Sequence, residues 1–240
     1  MTSTEKMNSL KKTARVAGVL YLIIFLVAGF AFFPVSSLIV PGDATATANN
    51  IIASESLFRF GIVGWSVVLL TEVVLSVILY VLLKPVGKTL ALIMMFSRLA
   101  MTTIQGMNLL NHSFALLLLS GADYLTVFDP DQLHALVMLF LNAYHYGDLI
   151  WQLFFALHLF VLGYLVYKSG YIPRILGILL VVASLLYLAQ SVGNFLFPKY
   201  EEILAQVVLL TMIPELLFPL WLLIKGVKNQ PRDDHAPASP

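Results

Sequence analysis

Four ionisable residues stand inside long apolar stretches of this chain: Glu72, Arg98, His158 and Glu215. Counted inward from the nearest basic segment, each lies about 15–18 Å deep at the helical rise. A bare charge near the middle of a bilayer costs a few kcal/mol even on lenient insertion scales. Two carboxylates and one guanidinium at one level can neutralise each other. The set then reads as a clamp across the second, third and sixth apolar stretches. The sharper reading is a proton-handling site, because Arg98 can serve only one acid well.

A second group of polar residues recurs at helical spacing. Arg98, Gln105 and His112 are seven residues apart, and Asn108 falls on the same half of a helix, with Thr102 and Asn111 at the edges. Asn142, His145, Asp148 and Gln152 share one face of the fourth stretch, and Tyr187, Gln190, Ser191 and Asn194 one face of the fifth. Polar faces at membrane depth are buried against other helices or line a wet cavity. Interhelical hydrogen bonds, worth about 0.6 kcal/mol each, account for one such stripe. Three at a common depth point to an outward-open cavity lined by Gln105, Asn108, His112, His145, Asp148, Gln152, Gln190 and Asn194.

His145 and Asp148 are spaced i, i+3, so both can reach one ion, with His112 as a third ligand. No HExxH or HxxxH pair accompanies them. A hydrogen-bonded His–Asp pair is therefore the expectation, and no metal or cofactor is assigned. GxxxxGK[ST], GxGxxG and GxSxG are all absent, which leaves a nucleotide site or a serine nucleophile unsupported. With no cysteine there is no thiol chemistry, and a net charge of +1 offers no basic surface for nucleic acid.

The elements that must position these residues are legible from hydropathy and charge. Mean hydropathy is +0.90, with 60% apolar and 11% charged residues among 240; soluble domains carry about a quarter charged. Six apolar runs occupy residues 14–33, 57–83, 88–119, 132–168, 174–197 and 203–225. Eleven of the fourteen Lys and Arg cluster in four places: up to the start of the first run, around the junction of the second and third, around the junction of the fourth and fifth, and from the end of the sixth onward. Arg59 and Lys199 are the basic members of the other loops. Basic residues are retained in the cytoplasm, so both termini are expected inside. The expected fold is an all-α polytopic bundle of six transmembrane helices, N-in and C-in. Residues 1–13 read as a cytoplasmic tail, 14–225 as one membrane domain and 226–240 as a disordered tail.

Local signals set the boundaries. Pro34 and Pro198 are expected to end the first and fifth helices, and Pro214 and Pro219 lie within the sixth. The polar connection 41–56 is expected to form a short outer surface helix capped by Asp43. At about 45–55 Å, the third and fourth runs exceed a hydrocarbon core of about 30 Å, so they must tilt, project or break. The first run is too long for a cleaved signal peptide. Trp65, Tyr164, Tyr167, Tyr171, Tyr200 and Trp221 read as interfacial anchors.

The opening RVAGVLYLIIFLVAG, the loop VPGDATATANNI followed by SLFRFG, and KSGYIPRILGILL together resemble an uncharacterised bacterial family catalogued as domain of unknown function 4386. The resemblance covers roughly residues 10–225. It implies a six-helix bacterial membrane protein, in the plasma (inner) membrane, and no activity. The leading functional expectation is binding or passage of a small molecule through the polar cavity, coupled to protons through Glu72 or Glu215, with a homodimer supplying enough helices for a carrier. One alternative is an intramembrane enzyme acting on a lipid or isoprenoid by acid/base chemistry. Another is a sensor or assembly factor whose polar contacts only organise helices. The expected partners are membrane lipids and a small-molecule or lipid ligand, with no nucleic acid.

Overall fold

A computed structural model describes residues 3–227. The described residues are 87% helical, without strands among them. Its helices are α1 (Ser3–Ser36), α2 (Ala44–Ala53), α3 (Glu55–Leu83), α4 (Lys88–Asn108), α5 (Leu110–Leu118), α6 (Pro130–Ser169), α7 (Arg174–Leu196), α8 (Glu201–Val208) and α9 (Met212–Ile224). Six helical segments are long and apolar enough to cross a membrane: Asn8–Ser36, Glu55–Leu83, Lys88–Leu118, Pro130–Ser169, Arg174–Leu196 and Pro198–Ile224. The expected six-span all-α fold is the one observed. Of the segment 226–240, read as a disordered tail, Gly226 and Val227 are buried, Gly226 N–H donating to Trp221 O and Leu222 O after α9. Residues 228–240, with Lys228 and Arg232, lie outside the described residues.

Three boundaries differ from expectation. The segment 1–13 is not a tail throughout, because α1 already begins at Ser3. Nor does Pro34 stop that helix, which runs on to Ser36. Proline removes only its own bond to the carbonyl four residues back. The last carbonyls find other donors, with Ser36 Oγ reaching Phe33 O at 3.0 Å and Ser37 Oγ reaching Pro34 O at 2.8 Å. The sixth span is broken where one helix was expected, since a 3-10 turn at Leu209–Thr211 separates α8 from α9. Pro214 cannot donate to the carbonyl of Leu210, so the chain tightens there and places the proline in the first turn of α9.

The two long spans solve their excess length differently. The third breaks at Leu109, between α4 and α5. Asn111 Nδ2 donates to Asn108 Oδ1 across that joint at 2.9 Å, a local side-chain bond that competes with regular helix. The fourth is one unbroken 40-residue helix, about 60 Å long. Asp129 and Gln132 form a capping box at its start, with Pro130 in the first turn. It ends at Gly170, whose φ of 71° is the left-handed conformation that glycine adopts without a Cβ clash.

The motif SGYIPRILG forms the hairpin between α6 and α7. Ser169 Oγ donates to Val166 O at 2.8 Å and accepts from the Ile172 N–H at 3.3 Å. Tyr171 is buried and donates to Leu82 O at 2.8 Å, tying the turn to the end of α3. It is therefore a clasp between helices, not the interfacial anchor expected. Burial holds its phenol above the ordinary tyrosine range. Beyond the turn, a Cβ built on Gly163 would lie 2.6 Å from Gly177 O, and one on Gly177 would lie 2.5 Å from Gly163 O. Small residues permit this approach, which supplies the close packing that lipid cannot drive by itself.

The main apolar core joins α1, α3, α4, α6, α7 and α9 around Leu79, Met94, Leu162, Leu180 and Phe218. A smaller cluster, with Ile51, Phe58, Ala115 and Val137, lies under α2. Asp43 caps α2 by accepting from the Ala46 N–H at 2.8 Å, as the sequence indicates. α2 packs on α3 and α6.

Gly163→Val should force α6 from α7 and cost about 1–3 kcal/mol from overpacking. Gly29→Val is the control, because a Cβ there meets only Phe33 at 3.9 Å. Thermal unfolding in detergent should separate the two variants by several degrees. Equal midpoints would refute close α6–α7 contact.

Candidate functional site

Arg98 is 2% exposed and reaches three helices besides its own. Its Nε lies 2.5 Å from Glu72 Oε2 on α3. Its Nη1 donates to Tyr21 Oη on α1 at 3.2 Å, and the guanidinium carbon stands 5.0 Å from the centre of that ring. Nη1 also lies 2.8 Å from His158 Nε2 on α6. Arginine has only donors, so His158 Nε2 must accept there. His158 Nδ1 then donates to Met94 O at 2.9 Å, which defines the neutral Nδ1–H tautomer. Three of the four ionisable residues picked out in the sequence thus meet in one contact set.

Glu215 lies apart from that contact. Its Oε1 accepts from Tyr187 Oη on α7 at 2.8 Å. Among the described residues no cation is within ion-pair distance of it. Tyr21 stands between the two carboxyls, bonded to Arg98 on one side and lining a cleft with Glu215 on the other. Tyr21 and Tyr187 were not among the charged residues the depth count selected. Their signal was modest, a tyrosine at membrane depth facing an inward helix surface.

The polar face of α4 meets α6 directly. Gln105 Nε2 donates to Tyr144 Oη at 2.8 Å. Asn108 Nδ2 donates to Tyr144 O at 2.8 Å and to Asp148 Oδ1 at 3.1 Å. The His112 ring stacks on Tyr144 with centroids 3.9 Å apart and leans on Phe58 at 5.2 Å. A Cβ on Gly147 would overlap the Asn108 amide outright. Along Gln105 and Asn108 of α4 and His112 of α5, the boundary with α6 is therefore a closed seam, where an open gap was expected.

The α6 face was misjudged by a rotation. Tyr144 and Asp148, four residues apart, point at α4. Asn142 and His145 are exposed. The expected His145–Asp148 pair does not form: Asp148 bonds Asn108, whereas His145 Nε2 lies 3.1 Å from Glu201 Oε1 on α8. At 100° per residue, positions i and i+3 differ by 60° around the helix, enough to separate a buried group from a surface one. Among the described residues no three His, Asp or Glu side chains gather as a metal cage.

Between α6 and α7 the polar groups are left open. Ser191 Oγ donates to Leu149 O at 2.7 Å, pinning the two helices. On the same two helices Gln152 Oε1, Gln190 Oε1 and both amide atoms of Asn194 are buried without a hydrogen-bond partner in the protein, as is Gln105 Oε1 on α4. Asn194 is 5% exposed. An unsatisfied buried polar group costs about 1–3 kcal/mol, so such sites hold water or a ligand. Chemically, this seam can donate and accept neutral hydrogen bonds, while the Arg98 set holds helices together.

Replacing Arg98 by Leu should leave Glu72 buried without its cation, at a cost of about 3–5 kcal/mol. The double variant Arg98→Leu/Glu72→Leu should recover more than half of that loss in detergent unfolding. Strictly additive losses would mean that the two side chains are not coupled.

Comparison with known proteins agrees with the architecture. The family described as "Domain of unknown function (DUF4386)" matches residues 16–226. That stretch contains the Arg98 set, Glu215 and every amide of the two seams. An uncharacterized protein of Archaeoglobus fulgidus is 33% identical over 169 residues, covering 70% of this chain and 85% of its own length. This relative is archaeal, so the likeness does not make the source bacterial. No solved structure matches the chain. The chain belongs to the DUF4386 family of multi-pass membrane proteins.

Proposed function

We propose that this protein binds a small polar molecule in the seam between α6 and α7, in a plasma membrane where both its termini are cytoplasmic. The observation that carries the reading is Asn194, deeply buried with neither amide atom bonded to protein. Gln152 and Gln190 add unsatisfied carbonyls on the same two helices. Native proteins seldom leave several such groups together without water or ligand to meet them. Amides offer both donors and acceptors without charge, which suits a neutral, hydrogen-bonding solute. The bonded α4–α6 seam forms one wall, and Gln105 Oε1 is a further open acceptor.

The side of entry follows from the charge pattern. Lys84, Lys88, Lys168 and Arg174 flank one end of the bundle, and α2 with the Glu201–His145 contact lies at the other. Retention of basic loops in the cytoplasm supports an outer-half position for the amide seam.

Two measurements test the reading. Cysteines substituted for Gln190 and Asn194 should react with a membrane-impermeant thiol reagent added outside, whereas one at the apolar Leu185 should not. The native chain has no cysteine to interfere. Protection of both polar positions in folded protein would remove the binding site. Separately, a reporter active only in the cytoplasm should give signal when fused at residue 240 or after Lys84, and none after Asp129. Signal from the Asp129 fusion would invert the topology.

A further inference from the structure

The α1–α9 boundary contains a second site, separate from the amide seam. The two helices touch at Gly18, where a Cβ would lie 2.7 Å from the backbone nitrogen of Leu223. From that contact they part into a cleft of about 30 Å³, lined by Gly18, Tyr21, Phe25, Glu215, Pro219 and Leu223. Its rim includes Leu22, Phe25 and Leu220, which are 40%, 46% and 42% exposed on the apolar surface. In a bilayer that surface faces hydrocarbon, so the cleft opens toward lipid.

The cleft has an unusual electrical balance. Glu72 is matched by Arg98. Glu215 faces Tyr187 from α7, Tyr21 from α1 and the Thr211 hydroxyl just before α9, and Arg98 lies beyond Tyr21. Neither tyrosine supplies a positive charge. Pro219 also lacks the N–H that would bond the Glu215 main-chain carbonyl, which leaves a second acceptor on the same turn. A carboxylate, a helix carbonyl and aromatic faces together form the complement of a small cation with several N–H donors.

We propose that this cleft binds the ammonium head of a membrane-dissolved primary amine, with Glu215 as its counter-charge. The narrow volume favours a small –NH3+ head over a bulkier trimethylammonium. The alkyl part of the amine lies along Leu22, Phe25 and Leu220, where the cleft is open. Binding brings one positive charge to a carboxyl that has no cation of its own, in a medium where charge pairing is strong.

The test uses the native protein in vesicles and the hydrophobic reagent dicyclohexylcarbodiimide. A carboxyl adds across its N=C bond, oxygen to carbon and proton to nitrogen, and the adduct is located by peptide mass spectrometry. The expected result is modification of Glu215 and not of Glu72, which is held by Arg98. Dodecylamine at about ten times its Kd should leave about a tenth of the sites open and cut the rate correspondingly. That rate is the rate of carbodiimide adduct and dodecylamide together, because the amine can displace dicyclohexylurea from an activated carboxyl. Dodecyltrimethylammonium at the same concentration should leave the rate unchanged. Absence of an adduct at Glu215 would overturn the lipid-open cleft. Modification that dodecylamine does not slow would overturn amine binding, and equal protection by both amphiphiles would overturn the fit to a primary ammonium.

Discussion

Burying one guanidinium constrains the whole bundle. Arg98 is almost fully removed from solvent, and a cation at that depth is tolerable only if its donors and charge are met by protein. No single neighbouring helix provides that. Glu72 comes from α3, Tyr21 from α1 and His158 from α6, so these helices must assemble around α4 before the arginine is satisfied. His158 is in turn held by the Met94 carbonyl, one turn before Arg98 on α4. The set closes on itself, which is why its members cannot be exchanged singly. A buried pair that loses one partner leaves an uncompensated charge, whereas replacement of both can be nearly neutral.

The orientation of α4 propagates this constraint outward. With Arg98 turned inward, Thr102, Gln105, Asn108 and His112 fall on the same buried side. Gln105, Asn108 and, from α5, His112 meet α6 through Tyr144 and Asp148, while Thr102 turns its hydroxyl back to Arg98 O. α6 then carries α7 by a different means. The glycine contact at Gly163 and Gly177 and the Ser169–Tyr171 turn bring two backbones together with little side-chain chemistry between them. Further along the same pair, Gln152, Gln190 and Asn194 carry buried amide atoms that no protein group meets. Polar groups are thus paired between α4 and α6 and left partly unpaired on α6 and α7.

Glu215 marks the edge of that arrangement. Arg98, the one buried arginine among the described residues, is already matched, and the proline four residues after Glu215 weakens the helix around the second carboxyl. Its helix joins the bundle chiefly against α1, so its carboxyl sits beside a lipid-facing cleft and not in the central set.

Composition, hydropathy and basic loops were enough to read six spans, their approximate limits, the α2 helix and its Asp43 cap. These depend on local transfer energies and local hydrogen bonds, which a linear chain displays directly. The shared depth of Glu72, Arg98 and His158 was legible for the same reason, because depth is a count of residues along a helix. Direction around the helix was not. Periodicity put Asn142 and His145 on one face with Asp148, yet packing exposed the first two and turned Asp148 and Tyr144 to α4. A span with polar groups on several sides has no single moment to fix its rotation, so contacts with neighbours decide it. Tertiary structure alone decided that Arg98 takes Glu72 and leaves Glu215 to Tyr187, that α4 and α6 close as a bonded seam, and that Tyr171 is a clasp. Each is a choice between partners on different helices, and the energy of that choice exists only once the helices have met.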